Sequence, residues 1–141
     1  MSGAAAGTAE PDAAVTLEPD GIVHIEYPLH AHVTAAMVRR VLANHQALGD
    51  RARPVLISGQ RLTGFDREVH EVCNSPEVAR LTLAVALVAK TVLERYLMRL
   101  YLEFSSSPYP RRAFNDEDEA RAWLRGFLAP VPEAAAGGVA G

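Results

Sequence analysis

TLAVALVAKTVLERYLMRLYLEF, residues 82–104, is the stretch whose reading decides the fold. Its first part, Thr82 to Val88, is a continuous apolar run of strand length. That pattern predicts a strand covered on both faces, as in a parallel sheet. From Lys90 to Phe104 the period changes to that of a helix, with Val92, Leu93, Tyr96, Leu97, Leu100 and Tyr101 apolar. Met98, Leu102 and Phe104 widen the stripe further. The same stretch is the most membrane-like in the chain, but Lys90, Glu94, Arg95, Arg99 and Glu103 interrupt it. At bilayer depth each such charge costs about 2.5–3.5 kcal/mol, so no membrane span is predicted.

Working outward, Pro54 to Ser58 is a second buried-strand run, and Gly59 to Gly64 follows as a loop. Asp66 is placed to cap a short helix running to Asn74, and Ser75-Pro76 opens another with proline at its first turn. Upstream, Val33 to Leu48 reads as a helix with Val33, Met37, Val41 and Leu48 on one stripe, Thr34 as its cap and Gly49 as its stop. Before it, Val15 to Glu18 and Ile22 to Tyr27 flank Pro19-Asp20-Gly21, which predicts a hairpin. Downstream, Ser105 to Tyr109 is a loop and Pro110 to Phe114 an edge strand, since proline cannot donate to a ladder. The last helix carries the clearest local signals: Asn115 as cap, acidic residues from Asp116 to Glu119 for the helix dipole, and Ala120, Trp123, Leu124, Phe127 and Leu128 as the buried face. Strands alternating with helices predict an α/β fold with a mixed sheet, an N-terminal hairpin and parallel neighbours joined by crossovers.

The flanks differ in kind. Residues 1–14 and 130–141 are built from small and polar residues with little to bury, so both are expected to be disordered tails around one domain at 15–129. The chain has 141 residues, 49% of them apolar and 22% charged, a globular composition. The formal charge of −3 argues against a dedicated nucleic-acid binder. One cysteine, Cys73, allows no intramolecular disulfide and fits a reducing compartment. Residues 1–14 show neither the basic start nor the apolar run of a secretory signal, so a cytoplasmic location is expected.

The element order, with Pro54 to Ser58 entering a loop, Leu83 to Val88 entering a long helix, and Arg112-Ala113-Phe114-Asn115-Asp116-Glu117 leading to Ala120, Trp123 and Leu124, resembles bacterial STAS-like domains. This is the fold of anti-sigma-factor antagonists, and the closing motif is similar to an uncharacterised group labelled STAS or CRAL-TRIO-like. The resemblance spans residues 15–129. It implies helices mainly on one face of the sheet and a regulatory domain that works by protein contact. In STAS members that are switched by a kinase, the loop after the equivalent strand carries Asp-Ser-Ser-Gly. Here it reads SGQRLTGFD, residues 58–66, leaving Ser58 and Thr63 as hydroxyls for contact or modification.

Several residues invite chemistry. His30 and His32, or His70 with Cys73, offer imidazole and thiolate for zinc. Their short spacings lack the paired long-range pattern of a zinc site, and surface histidines with a core thiol are the plainer reading. His24-Ile25-Glu26 matches one piece of a nucleobase-deaminase signature, whose Pro-Cys-x-x-Cys partner is missing. His70 and Cys73 are also the pair for a base and nucleophile, opposed by the apolar Val69 and Val72 of the same segment. No phosphate loop is present. Glu117 and Asp118 serve the helix dipole rather than acid–base chemistry. Arg39, Arg40, Arg51 and Arg53, with Arg111 and Arg112, are the residues for an anion-binding patch, or simply a solvated face.

No catalytic, metal or cofactor residue is therefore assigned. The expected function is a non-enzymatic regulatory or scaffolding domain with an unidentified protein partner and homo-oligomerisation. If the long helix packs by Val92, Leu93, Tyr96 and Leu100, its interface residues are Met98, Tyr101, Leu102 and Phe104. The competing reading is a module for a small apolar or lipid-like ligand, which needs a cavity of about 300–1,000 Å³.

Overall fold

A computed structural model describes residues 12–128. Strands β1 (Ala14–Leu17), mostly exposed, and β2 (Val23–Leu29), with alternating burial, form the expected antiparallel hairpin. Its turn closes with the Gly21 amide donating to the Glu18 carbonyl at 2.9 Å, and Gly21 has φ +97°, a region that favours glycine. A two-residue strand, β3 (His32–Val33), precedes α1 (Ala35–Gln46), whose cap is Thr34 as expected. Val33 therefore belongs to a strand rather than to the helix stripe, and His45, not Leu48, is the buried residue of the last turn. Next come β4 (Arg53–Gln60), β5 (Gly64–Phe65), α2 (Val69–Cys73) and α3 (Pro76–Leu81, capped by Ser75). The chain continues with β6 (Thr82–Val88), α4 (Val92–Phe104), β7 (Arg111–Phe114) and α5 (Glu117–Arg125).

Two capping assignments are corrected. Asp66 caps no helix; Glu68 holds the cap position of α2 without a side-chain cap bond, and the Asp66 carboxylate instead meets His32. The cap of α5 is Asp116, accepting from the Glu119 amide at 3.0 Å, because a carboxylate one residue beyond Asn115 also meets the positive end of the helix dipole.

The main sheet runs β1-β2-β4-β6-β7, with β1 antiparallel and every other pair parallel, and β3 and β5 form a separate two-stranded parallel pair. This is the mixed α/β fold the alternation predicts. Its unbroken apolar β6 serves both faces. Val85 and Leu87 join Val23, Ile25, Tyr27 and Val55 beneath α1, α2 and α4, with Met37, Val38, Val41, Val69 and Met98 supplied by the helices. Ala84, Ala86 and Val88 join Ile22 and Leu56 against Ala120 and Leu124 of α5. Among the described residues four helices thus lie on one face and α5 alone on the other, where small alanines on β6 let it approach closely. Phe114, Trp123 and Phe127 seal that side, with ring centroids 5.6 and 4.9 Å apart.

The expected tails fall outside the described residues for 1–11 and 129–141. Ala13 is buried, and Ala14 opens β1.

Candidate functional site

The C-terminal ends of β2 and β4 carry two loops bound to each other. His30 and Arg61 both hold a left-handed backbone, φ +57° and +55°, a conformation non-glycine residues rarely adopt. Hydrogen bonds over-determine it: the His30 amide donates to the Gln60 carbonyl at 2.8 Å, and the Thr63 amide donates to the Ala31 carbonyl at 3.0 Å. The Thr63 hydroxyl adds a 3.2 Å bond to Ala31, and His32 Nε2 lies 2.8 Å from the Asp66 carboxylate. At Gly59 an added Cβ would lie 2.6 Å from the Leu62 side chain, so only glycine lets Leu62 fold back over the strand.

Glu94 fixes this loop to α4. Its carboxylate is buried, 1% exposed, and accepts from the Leu62 amide at 3.0 Å, the Lys90 amide at 3.0 Å and the Thr91 amide at 3.2 Å. Thr91 returns the bond by accepting from the Glu94 amide, completing a capping box. Because Glu94 must point inward, the residues four and seven positions on, Met98 and Tyr101, point inward too. The expected orientation of α4 is thereby reversed. Met98 is 7% exposed, and Tyr101 and Leu102 are half-buried against the core. The residues on the outside are Val92, 75% exposed, Tyr96, 52%, and Leu93, 48%. Phe104 ends α4, and its side chain lies outside the described residues.

Under α4 the core leaves a cavity of about 90 Å³ whose lining includes Tyr27, Val69, Cys73, Met98, Tyr101 and Tyr109. Burial pushes the Cys73 thiol up, against the opposing effects of its hydrogen bond with Tyr101 and of Arg111. Burial likewise raises Tyr27, Tyr101 and Tyr109 beyond the ordinary phenol range. The Tyr109 hydroxyl donates to the Cys73 carbonyl at 2.8 Å, while Arg111 lies 5.1 Å from the centre of the Tyr101 ring and donates to Ser105. His70 and Cys73 do not form a base–nucleophile pair, since Nδ1 of His70 donates to the Arg67 carbonyl and the thiol is engaged with Tyr101. The cavity is also several times smaller than a lipid-sized site requires.

On the α5 face, Ser58, His24 and Glu18 form a chain that crosses β4, β2 and the hairpin turn. Ser58 Oγ lies 2.8 Å from His24 Nε2, and His24 Nδ1 lies 3.3 Å from Glu18. Arg121 of α5 grips Glu18 and also Glu117, the latter at 2.9 Å, and its guanidinium holds the Glu18 carboxyl below the usual range. The connectivity is that of a nucleophile, base and orienting acid. Ser58, however, is 6% exposed and Glu18 is committed to Arg121, so the chain works as a strut between sheet and helix. The other hydroxyl expected in this segment, Thr63, is exposed.

His30 and His32 are both exposed, and among the described residues no group of three or more His, Cys, Asp or Glu side chains is arranged to hold a metal ion. Nor is any helix there long and apolar enough to cross a membrane. The arginines expected to cluster are put to separate uses: Arg40 pairs with Asp12, Arg53 is half-buried, and Arg112 stacks 5.1 Å from the Phe114 ring. Sequence reasoning missed Glu94 as a site residue although Thr91-x-x-Glu94 spells a capping box, whereas the Ser58–His24 contact depends on strand register and has no local signature.

A family profile described as a domain of unknown function, DUF7793, matches residues 15–128. No curated protein matches the chain. Among solved structures, the chain is similar to an uncharacterised protein of the DUF3478 family with a SpoIIAA-like fold from Shewanella loihica PV-4, with TM-score 0.50 and 17% identity over 79% of this chain and 91% of the other. It is also matched to a protein of unknown function from Arthrobacter sp. FB24, with 25% identity, TM-score 0.29, and 84% and 97% of the two chains covered. The SpoIIAA-like neighbour has the STAS fold that the element order resembles.

Proposed function

The chain belongs to the DUF7793 family and has a SpoIIAA-like fold, and from that premise we propose that it is a non-enzymatic regulatory domain, spanning residues 15–129 and acting by protein contact, that self-associates through the outer face of α4. One observation carries the reading. Among the described residues, three of the five exposed large hydrophobics, Val92, Leu93 and Tyr96, fall within the first turns of this one helix. Monomers seldom leave such residues contiguous without using them. The buried Glu94 holds them outward, so their exposure is built in rather than a consequence of loose packing.

A second copy suits the surface. When two copies of α4 cross antiparallel about Tyr96 and Leu97, Tyr96 and Leu93 meet the same patch of the other copy, as a two-fold interface demands. Lys90 of each copy then stands beside Glu103 of the other, and both are exposed. The loop at residues 58–66, pinned to the same end of α4, supplies the second contact element. Thr63 is its accessible hydroxyl and the residue at which modification is proposed, in the reducing interior of a cell. Half-buried Cys73 and the engaged Ser58 support the non-enzymatic reading through the chemistry they have been given: a raised thiol and a hydroxyl locked in a strut.

The test is solution mass by light scattering for the full chain and for a Val92→Asp/Tyr96→Asp variant. The expected result is a dimer that becomes a monomer in the variant, with stability changed by no more than about 0.5 kcal/mol, as for exposed positions. A full chain that stays monomeric across the accessible concentration range, or a variant with unchanged mass, overturns the self-association.

A further inference from the structure

The last strand of the sheet has an outer edge that no described residue pairs with, and its surroundings say what kind of chain it would take. Among the described residues strand β7 is paired only with β6. The Val85 amide donates to the Pro110 carbonyl at 2.9 Å and the Ala89 amide to the Phe114 carbonyl at 2.8 Å. Parallel ladders alternate in the direction of their bonds, so Arg112 and Phe114 face β6, and the N–H and C=O of Arg111 and Ala113 face outward. Among the described residues no backbone group bonds to them. Beside this edge lies a groove of about 420 Å³ between β7 and α4, lined by Arg95, Arg99, Leu102, Glu103, Ala113 and Phe114 among others. The small side chain of Ala113 leaves its floor open. Arg95 and Arg99 are exposed, and neither forms an ion pair with a described residue.

We propose that β7 is a docking edge for an extended acidic segment of a partner protein, which adds as a sixth strand and sets its carboxylates on Arg95 and Arg99. Backbone bonds to Arg111 and Ala113 supply the docking, and side-chain contacts in the groove supply the selectivity. The spacing fits. Residues two apart on an added strand lie about 6.6 Å apart on one face, and residues four apart on a helix are separated by about 6 Å of rise. An acidic-x-acidic segment therefore lines its two carboxylates up with the two guanidinium groups, while the alternate residue turns to the other face, beside Phe114. Charge excludes a second copy of β7 as the occupant. Edge-to-edge pairing of two such strands would bring Arg111 and Arg112 of both copies together, the device by which natural edges avoid self-pairing. Glu103 borders both surfaces, but the Arg111 and Ala113 edge lies off the outer face of α4, so the proposal stands or falls separately from self-association.

The experiment is a nuclear magnetic resonance titration of the isotope-labelled full chain with a synthetic peptide of repeating Glu-Val, and with its Lys-Val counterpart. Saturable shifts of the Arg111 and Ala113 amides with the acidic peptide only are expected. Arg95→Glu/Arg99→Glu reverses the preference and weakens the acidic peptide by about tenfold or more. Ala113→Pro removes an outward amide but no ladder bond, so it is expected to leave the fold intact and abolish docking. Equal shifts from both peptides, shifts confined to arginine side chains, or unmoved Arg111 and Ala113 amides at saturating peptide overturn the proposal.

Discussion

At the scale of single residues, two buried titratable side chains solve the problem of burial in opposite ways. Glu94 is inside the protein with three backbone amides aimed at it, an arrangement that compensates a carboxylate for lost water. Glu94→Ala leaves those amides unsatisfied and frees the loop at Leu62, and a loss of about 2–4 kcal/mol in denaturant unfolding is expected. A loss below about 0.5 kcal/mol, typical of an ordinary surface site, would contradict the role given to it. His45 has no such compensation. Its Nε2 is buried without a hydrogen-bond partner among the described residues, and burial first, then Arg53, pulls its pKa below the ordinary histidine value. The folded chain therefore keeps His45 neutral while the unfolded chain takes up a proton below about pH 6.5. Stability from this residue is complete above that pH and falls as the pH drops toward the folded-state value. The Glu18 contribution, whose carboxyl Arg121 holds low, is lost at more acid pH, as the pH falls from the ordinary carboxyl value toward the lower folded one. Measuring unfolding free energy between pH 7.5 and 5 tests the sign: His45→Leu should flatten the slope, and an unchanged slope would remove His45 as its source. Neither residue announces its burial in sequence. Glu94 reads as a charge that breaks an apolar run, and His45 as a polar residue near a helix end. Only the capping-box spacing was there to be read for the first, and nothing local for the second.

Individual elements show why existence was easier to read than orientation. Strand β6 occupies Thr82–Val88 as its composition predicts, because an unbroken apolar run of that length has few other homes. The long helix α4 was equally legible as a helix, but apolar residues lie all round it, so periodicity does not select a face. Tertiary contact made the choice, through one carboxylate that needs the Leu62 amide. Reversing that choice moves the proposed interface from Met98, Tyr101 and Leu102 to Val92, Leu93 and Tyr96. The two sets should respond differently to substitution. Met98→Ala opens space beside an existing cavity and is expected to cost about 2–4 kcal/mol. Val92→Ala, at 75% exposure, is expected to cost no more than about 0.5 kcal/mol. Comparable losses from both substitutions would mean the helix is turned the other way. The caps moved for a smaller reason: Asp66 and Asp116 each had more than one available partner, and sequence does not rank them.

For the whole molecule, the decisive feature is that the two apolar clusters share the same strands. Leu56 and Val55 are neighbours on β4 and serve opposite faces, as do Ala86 and Leu87 on β6. Neither cluster can dissolve without exposing the backs of strands the other needs, so the described chain should unfold in one step although its cores are separate. The strut from Ser58 through His24 and Glu18 to Arg121 adds a polar tie between α5 and the sheet. The consequence is testable with one substitution on each face. Leu124→Ala on α5 and Met98→Ala on α4 each remove a buried side chain and should each cost about 2–4 kcal/mol. Since Leu124 and Met98 belong to different clusters, the double variant should lose the sum to within about 0.5 kcal/mol. All three variants should keep a single transition with an unchanged denaturant slope, because the surface exposed on unfolding is the same. If Leu124→Ala instead releases α5 in an early separate transition, leaving the other face folded, the sheet does not couple the two cores. The hairpin, the alternation and the closing helix were legible in sequence because each is local. This coupling was not, because it lies in the strand order.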